Sequence, residues 1–154
     1  MNRWQRFRRL PQAEQGLFLA ALFWLPLTSL SLGLVGVRRT VRLLERLGGA
    51  GRRAEQDDAA AHALTAARMV RAAARHGLVR ATCLPCSLTL WRLLRRRGIP
   101  AELRIGTRNG PAGFEAHAWV EAAGLRLDDG EEPGFTPLNS PILSTQATNP
   151  AKSR

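Results

Sequence analysis

This 154-residue sequence contains no tyrosine, only two cysteines and, in Lys152, a single lysine. Arginine therefore supplies the other basic side chains of a protein whose net charge is +11. A low aromatic content without tyrosine disfavours a surface on which bases stack, so we expect no nucleic acid partner despite this charge. Two cysteines three residues apart cannot build a disulfide framework. Their spacing indicates reduced thiols in a cytoplasmic protein.

The length of the chain limits its organisation. Domains commonly contain roughly 100 to 150 residues, so we expect one compact domain with appendages and no second catalytic domain. Hydrophobic residues make up 45% of the sequence. That share is enough for a core and argues against a largely disordered chain.

Residues 1–47 are predicted to form a basic and apolar helical arm. Residues 16–37 carry no charge, and a run of about 20 apolar residues is long enough to span a bilayer. A membrane-spanning helix and a signal peptide are two interpretations of this run. Pro26 lies near its middle and arginines flank both ends, which favours two short helices, broken near Pro26, that pack on the domain or a partner. Through this arm the cytoplasmic protein could contact a membrane surface.

The remaining chain is predicted to contain one domain at residues 54–140 and a disordered tail at 141–154. A glycine-containing linker at 48–53 separates the arm from the domain. The tail is rich in proline, serine and threonine, and chain ends of this composition are poorly ordered.

Two helices are predicted to open the domain. Residues 54–77 are alanine-rich, and we assign structural roles to His62 and His76, which have no nearby ligand partner in the sequence. Residues 82–97 form the second helix, which begins at Thr82 and ends before Gly98 and Pro100. Cys83 lies at its start, where the unpaired backbone N–H groups and the helix dipole favour a thiolate.

The face of this second helix can be assigned from its periodicity. Cys83, Ser87, Leu90 and Leu94 fall on one stripe, which should face the core. The arginines at positions 92, 95 and 96 can reach solvent.

Strands are predicted at residues 100–107, 115–121 and 125–129, with a loop at 108–113. A three-residue connection at 122–124 would pair Glu121 with Leu125 and place His117 directly opposite Asp129. Cross-strand partners have Cβ atoms about 5 Å apart, within reach of a carboxylate–imidazole hydrogen bond. A bulge would shift this register by one residue and present Asp128 instead.

Cys83, His117 and Asp129 together supply a thiol nucleophile, a base and an acid that orients the imidazole. Other interpretations stay open. Cys83-Leu84-Pro85-Cys86 is also the CxPC pattern of thiol-disulfide oxidoreductases, although the preceding segment is not the hydrophobic strand which that fold requires. A zinc site would need two further ligands with suitable spacing. A non-catalytic adaptor or scaffold of a membrane-associated biosynthetic complex is an alternative of another class.

Four motifs in order resemble one family. They are CLPCSL from Cys83, RRRGIPAELRIG from Arg95, FEAHAWVE from Phe114 and the aspartates that follow Leu127. Together with the basic RFRRLP segment they are similar to the maturation (B) protein of lasso peptide biosynthesis, a branch of the transglutaminase-like superfamily, over residues 3–140. Cys86 departs from the pattern, since such proteins commonly carry arginine there.

The resemblance implies an α+β, papain-like or transglutaminase-like fold, in which N-terminal helices precede a catalytic helix packed on a small antiparallel sheet. It implies a cysteine endopeptidase that removes the leader of a ribosomally synthesised precursor, with Cys83 as nucleophile, His117 as base and Asp129 as orienting acid. Trp119 is predicted to contact the substrate. The implied partners are the precursor peptide, a separate leader-recognition protein and an ATP-dependent lasso cyclase. This chain would be the stand-alone peptidase half of a split maturation protein. Transglutaminase-type acyl transfer to an amine would use the same intermediate. No metal or cofactor is expected.

Overall fold

A computed structural model of the chain describes residues 7–47, 56–77, 82–111, 113–127 and 134–138. Within these ranges three helices precede a four-stranded antiparallel sheet, which confirms the predicted α+β class. The helices are α1 (Gln12–Leu47), α2 (Gln56–His76) and α3 (Cys83–Arg96), and the strands are β1 (Ala101–Gly110), β2 (Gly113–Ala122), β3 (Leu125–Leu127) and β4 (Thr136–Pro137). The predicted linker at 48–53 and tail at 141–154 lie outside the described residues, so the predicted domain division stays a prediction.

Helix α1 is interrupted at Gly36 and not near Pro26, where the sequence analysis placed the break. Gly36 has φ 77° and ψ 174°, whereas Pro26 lies within helical backbone. Glycine is the residue that tolerates this region of backbone space. The charge-free run is therefore one continuous helical segment, and the basic segment after Gly36 is a second one.

The two segments of α1 fold back on each other. Arg92 of α3 lies 3.7 Å from the ring centre of Trp24 and donates hydrogen bonds to the carbonyls of Leu44 and Leu47. A straight helix would separate Trp24 from Leu44 by about 30 Å. The hydroxyls of Ser31 and Thr40, 2.9 Å apart, join the segments across the break.

The burial of Arg92 contradicts the prediction that its side chain reaches solvent. Its side chain is only 3% exposed, while Arg95 and Arg96 are exposed as predicted. The last carbonyls of a helix have no partner within it, and Arg92 supplies donors to two of them at the end of α1. Burial, with a smaller contribution from the positive charge of Arg96, lowers the pKa of the Arg92 guanidinium.

One hydrophobic core joins the three helices to one face of the sheet. Leu17 and Leu44 of α1, Val70 of α2, Leu88 of α3 and Val120 of β2 all belong to it. Alanines at every third or fourth position of α2 are fully or almost fully buried. These short side chains let α2 approach its neighbours closely.

The sheet order is β3-β2-β1-β4, with every neighbouring pair antiparallel. Strand β1 continues to Gly110, so most of the predicted loop at 108–113 belongs to the β1–β2 hairpin. At the β2–β3 turn, Glu121 pairs with Arg126 and not with Leu125. The predicted register was therefore wrong by one residue.

Candidate active site

A small open cavity lies where the start of α3 meets β2 and α2. Its described lining residues are Ala67, Val70, Arg71, Cys83, Cys86, Ser87, Leu90, His117, Ala118 and Leu127. Cys83 and His117, which are 34 positions apart in the sequence, thus share one mostly apolar pocket. The fold brings together the predicted nucleophile and the predicted base.

Cys83 is the first residue of α3 and is half-buried. Thr82 occupies the N-cap position without a side-chain hydrogen bond to the helix, and the first turn of α3 contains no acidic residue. Backbone N–H groups in a first helical turn have no carbonyl partner within the helix. The thiol therefore lies at an uncapped helix N-terminus, where developing negative charge is stabilised.

Ser87 joins α3 to β2 beside the two candidate catalytic residues. Its buried hydroxyl donates a 2.9 Å hydrogen bond to the carbonyl of Ala118. Ser87 lies one helical turn after Cys83, and Ala118 follows His117. This bond fixes the first turns of α3 against β2, the strand that carries His117.

Two aromatic rings lie close to the imidazole of His117. Its ring is stacked with that of Trp119 at 6.2 Å between centres and lies 5.2 Å from that of Phe135. The backbone partner of His117 is Gly106 of β1, where a Cβ atom would come within 2.8 Å of the Trp119 ring. Glycine at this position leaves room for the indole, which in turn packs beside the imidazole.

Trp119, the predicted substrate contact, is 2% exposed. Its indole N–H donates a 3.0 Å hydrogen bond to Glu121, and the guanidinium of Arg126 covers its ring at 4.4 Å. Trp119 is not among the described residues that line the cavity. Its substrate contact stays a prediction.

Asp129, the predicted orienting acid, and Asp128, its alternative, lie outside the described residues. The observed pairing of Glu121 with Arg126 removes the register that placed Asp129 opposite His117. The role of Asp129 in holding the imidazole thus stays a prediction that rests on the family resemblance.

Two further residues line the cavity: Arg71, which local sequence patterns did not single out, and Cys86, the second thiol of the CxPC pattern. Arg71 of α2 brings a cationic side chain to its wall, and Cys86 brings a second thiol one helical turn from Cys83. Helical periodicity places Arg71 beside Ala67 and Val70 on α2. Only the packing of α2 against α3 brings that face to the cysteine.

The other two histidines lie on α2 and do not line the cavity among the described residues. Burial chiefly lowers the pKa of His62, Arg97 adds to the effect, and Asp58 opposes it. His76 is exposed in the last turn of α2. Both positions suit the structural roles that the sequence analysis assigned.

Comparison with known proteins gives one match. A family model described as the transglutaminase-like superfamily matches residues 24–140. No curated protein and no solved structure matches the chain significantly. The matched range begins within α1 and includes the cavity described above.

Proposed function

Because the chain belongs to the transglutaminase-like superfamily, which includes cysteine peptidases, we propose that it is a cysteine endopeptidase that removes the leader peptide from a ribosomally synthesised lasso peptide precursor. The observation that carries the proposal is the cavity shared by Cys83, at a helix N-terminus, and His117, on the neighbouring strand. Nucleophilic acyl transfer requires a thiol and a base such as imidazole, and the residues that carry these two groups both line this pocket.

The reaction divides into two acyl transfers. His117 takes the proton of the Cys83 thiol, and the sulfur attacks the carbonyl carbon of the scissile peptide bond. The carbon–nitrogen bond then breaks, the imidazolium gives its proton to the leaving amine, and a thioester remains on Cys83. Water, deprotonated by His117, attacks the thioester and releases the carboxylate product with the regenerated thiol. Asp129 would hold the imidazole in the required tautomer.

The N-terminus of α3 offers donors for the oxyanion of each tetrahedral intermediate. Pro85 has no N–H group, and the N–H of Cys86 donates to the carbonyl of Thr82. The N–H groups of Cys83 and Leu84, earlier in the same turn, have no carbonyl to bond within the helix. We assign the oxyanion donor role to them.

The leader-peptidase role and its partners rest on the resemblance of the motifs around Cys83 and His117. On this proposal a separate recognition protein presents the leader, and an ATP-dependent cyclase closes the macrolactam after cleavage. On this proposal water accepts the acyl group, whereas acyl transfer to an amine would start from the same thioester.

Reconstitution tests this function. A lasso precursor peptide is incubated with the full chain, with and without the leader-recognition protein, and the products are identified by mass spectrometry. We expect one cleavage at the leader–core junction that depends on the recognition protein and is lost in His117→Ala. An intact precursor under all conditions, with a folded enzyme, would reject the leader-peptidase role.

A further inference from the structure

The first segment of α1 carries a row of exposed apolar side chains, which we call the apolar stripe. It consists of Leu19 (55% exposed), Phe23 (63%), Leu27 (42%), Leu30 (59%) and Leu34 (74%). Their spacing of three or four residues puts them on one face of the helix. At 1.5 Å per residue the stripe is about 22 Å long.

The opposite face of the same segment belongs to the protein core. Leu17 and Leu25 are buried against the other helices, and Thr28 accepts a 3.4 Å hydrogen bond from Thr89 of α3. By length and composition α1 could cross a membrane, and 17% of its apolar 18-residue window is buried inside the protein. A bilayer-spanning orientation would detach α1 from the domain core, expose Thr28 to lipid and leave Thr89 without this hydrogen-bond partner.

Exposed arginines precede and follow the stripe in the sequence. The exposed arginines described there are Arg8 and Arg9 before it and Arg38, Arg39, Arg42 and Arg46 after it. No charged residue lies between Gly16 and Val37. Of the two acidic residues of α1, Glu14 pairs with Arg68 at 3.1 Å and Glu45 is half-buried.

We propose that the apolar stripe is a membrane-docking surface by which the protein lies on an anionic lipid bilayer, with the first segment of α1 in the plane of the interface. A helix in this orientation buries its apolar face about 5 to 10 Å into the boundary between headgroups and acyl chains. The arginines that precede and follow the stripe in the sequence meet the anionic headgroups, where each basic residue adds to the attraction. The inference does not depend on the peptidase activity.

The composition of the stripe favours lipid over a protein partner. Four of its five members are leucines, which are under-represented among the residues that contribute most to protein interfaces. A protein partner would also need acidic groups to match arginines on both sides of an uninterrupted apolar row. An anionic lipid surface offers acyl chains to the apolar row and negative headgroups to the arginines, and it does not need a matching shape.

Vesicle flotation of the full chain tests the proposal. The wild type is expected to float with vesicles of phosphatidylcholine and phosphatidylglycerol and to bind pure phosphatidylcholine much more weakly. Raising the salt from about 0.1 M to about 1 M shortens the Debye length from ~10 to ~3 Å and should weaken the binding. The triple variant Leu19→Ser, Leu30→Ser, Leu34→Ser should bind roughly 100-fold more weakly, because it removes three lipid-facing side chains.

Leu64→Ser with Leu138→Ser provides the matched control, since both leucines are about half exposed and lie outside the stripe. This variant should float like the wild type, and circular dichroism should show that every variant is folded. Wild-type binding by the folded triple variant would overturn the proposal. Absence of vesicle binding by the wild type, with the stripe instead closing a dimer or binding a protein, would overturn it as well.

Discussion

At the scale of single residues, Arg92 shows how a buried charge organises the helices. Its guanidinium donates to the carbonyls of Leu44 and Leu47 at 3.1 and 3.2 Å and packs on the ring of Trp24. One side chain thereby joins both segments of α1 to α3. A sequence rule that places arginine in solvent misses it, because the unpaired carbonyls that bind it belong to a helix end 45 residues away.

Arg92→Met should lower the free energy of unfolding by about 3 kcal/mol, because the methionine fills the space but leaves the two carbonyls without donors. Arg96→Met, at an exposed position on the same helix, should change it by less than about 0.5 kcal/mol. Chemical denaturation of both variants measures the difference. Equal stability of Arg92→Met and the wild type would show that the carbonyls need no protein donor.

Ser87→Ala should lower the free energy of unfolding by about 1 kcal/mol, since it leaves the buried carbonyl of Ala118 without its donor. It should also slow leader cleavage about tenfold without a matching change in KM, because the start of α3 is less firmly held against β2. Ser29→Ala is the control: its hydroxyl is buried without a hydrogen-bond partner among the described residues. That variant should be at least as stable as the wild type and equally active. Full activity of Ser87→Ala would exclude a positioning role for the hydroxyl.

At the scale of elements, Gly36 decides the shape of α1. Its φ of 77° with ψ of 174° belongs to a region that residues with a Cβ atom rarely adopt. Hydropathy identifies the apolar run in the sequence. It does not show that the helix continues through Pro26 or that the chain reverses at Gly36. The reversal is what places Trp24 and Leu44 on the same guanidinium.

Gly36→Ala should lower the free energy of unfolding by about 1 to 3 kcal/mol, although open space surrounds the position, because the backbone conformation is strained for alanine. Gly33→Ala supplies the comparison. Gly33 is helical and equally open, so alanine there should raise the stability by about 0.5 to 1 kcal/mol. Thermal unfolding of the two variants separates the effects; a shift of the same sign in both would contradict this account of Gly36.

The β2–β3 hairpin shows a second limit of sequence reasoning. Ala123 and Gly124 both have positive φ, 51° and 75°, and form a two-residue turn between Ala122 and Leu125. Two-residue turns of this kind normally carry asparagine or glycine at the first position, so the alanines favoured a three-residue connection. The register therefore differs by one residue from the one on which the prediction of Asp129 opposite His117 was based.

At the scale of the whole molecule, the sequence predicted the elements better than their assembly. Periodicity and end signals located α2, α3 and the two long strands to within a few residues, and the buried stripe of Ser87, Leu90 and Leu94 is confirmed. The motifs also predicted the superfamily. The contribution of Arg71 to the cavity, and the close packing of α1 on α3, depend on contacts between distant segments that local patterns do not encode.

The rate of leader cleavage by Cys83→Ser and Cys86→Ser, measured beside the wild type with precursor and recognition protein, tests the central claim most directly. Both thiols line the cavity, so each variant is the control for the other, and circular dichroism confirms that both are folded. We expect Cys83→Ser to lose about 1000-fold or more in rate, while Cys86→Ser stays close to the wild type. Wild-type cleavage by Cys83→Ser would contradict the assignment of this thiol as the nucleophile.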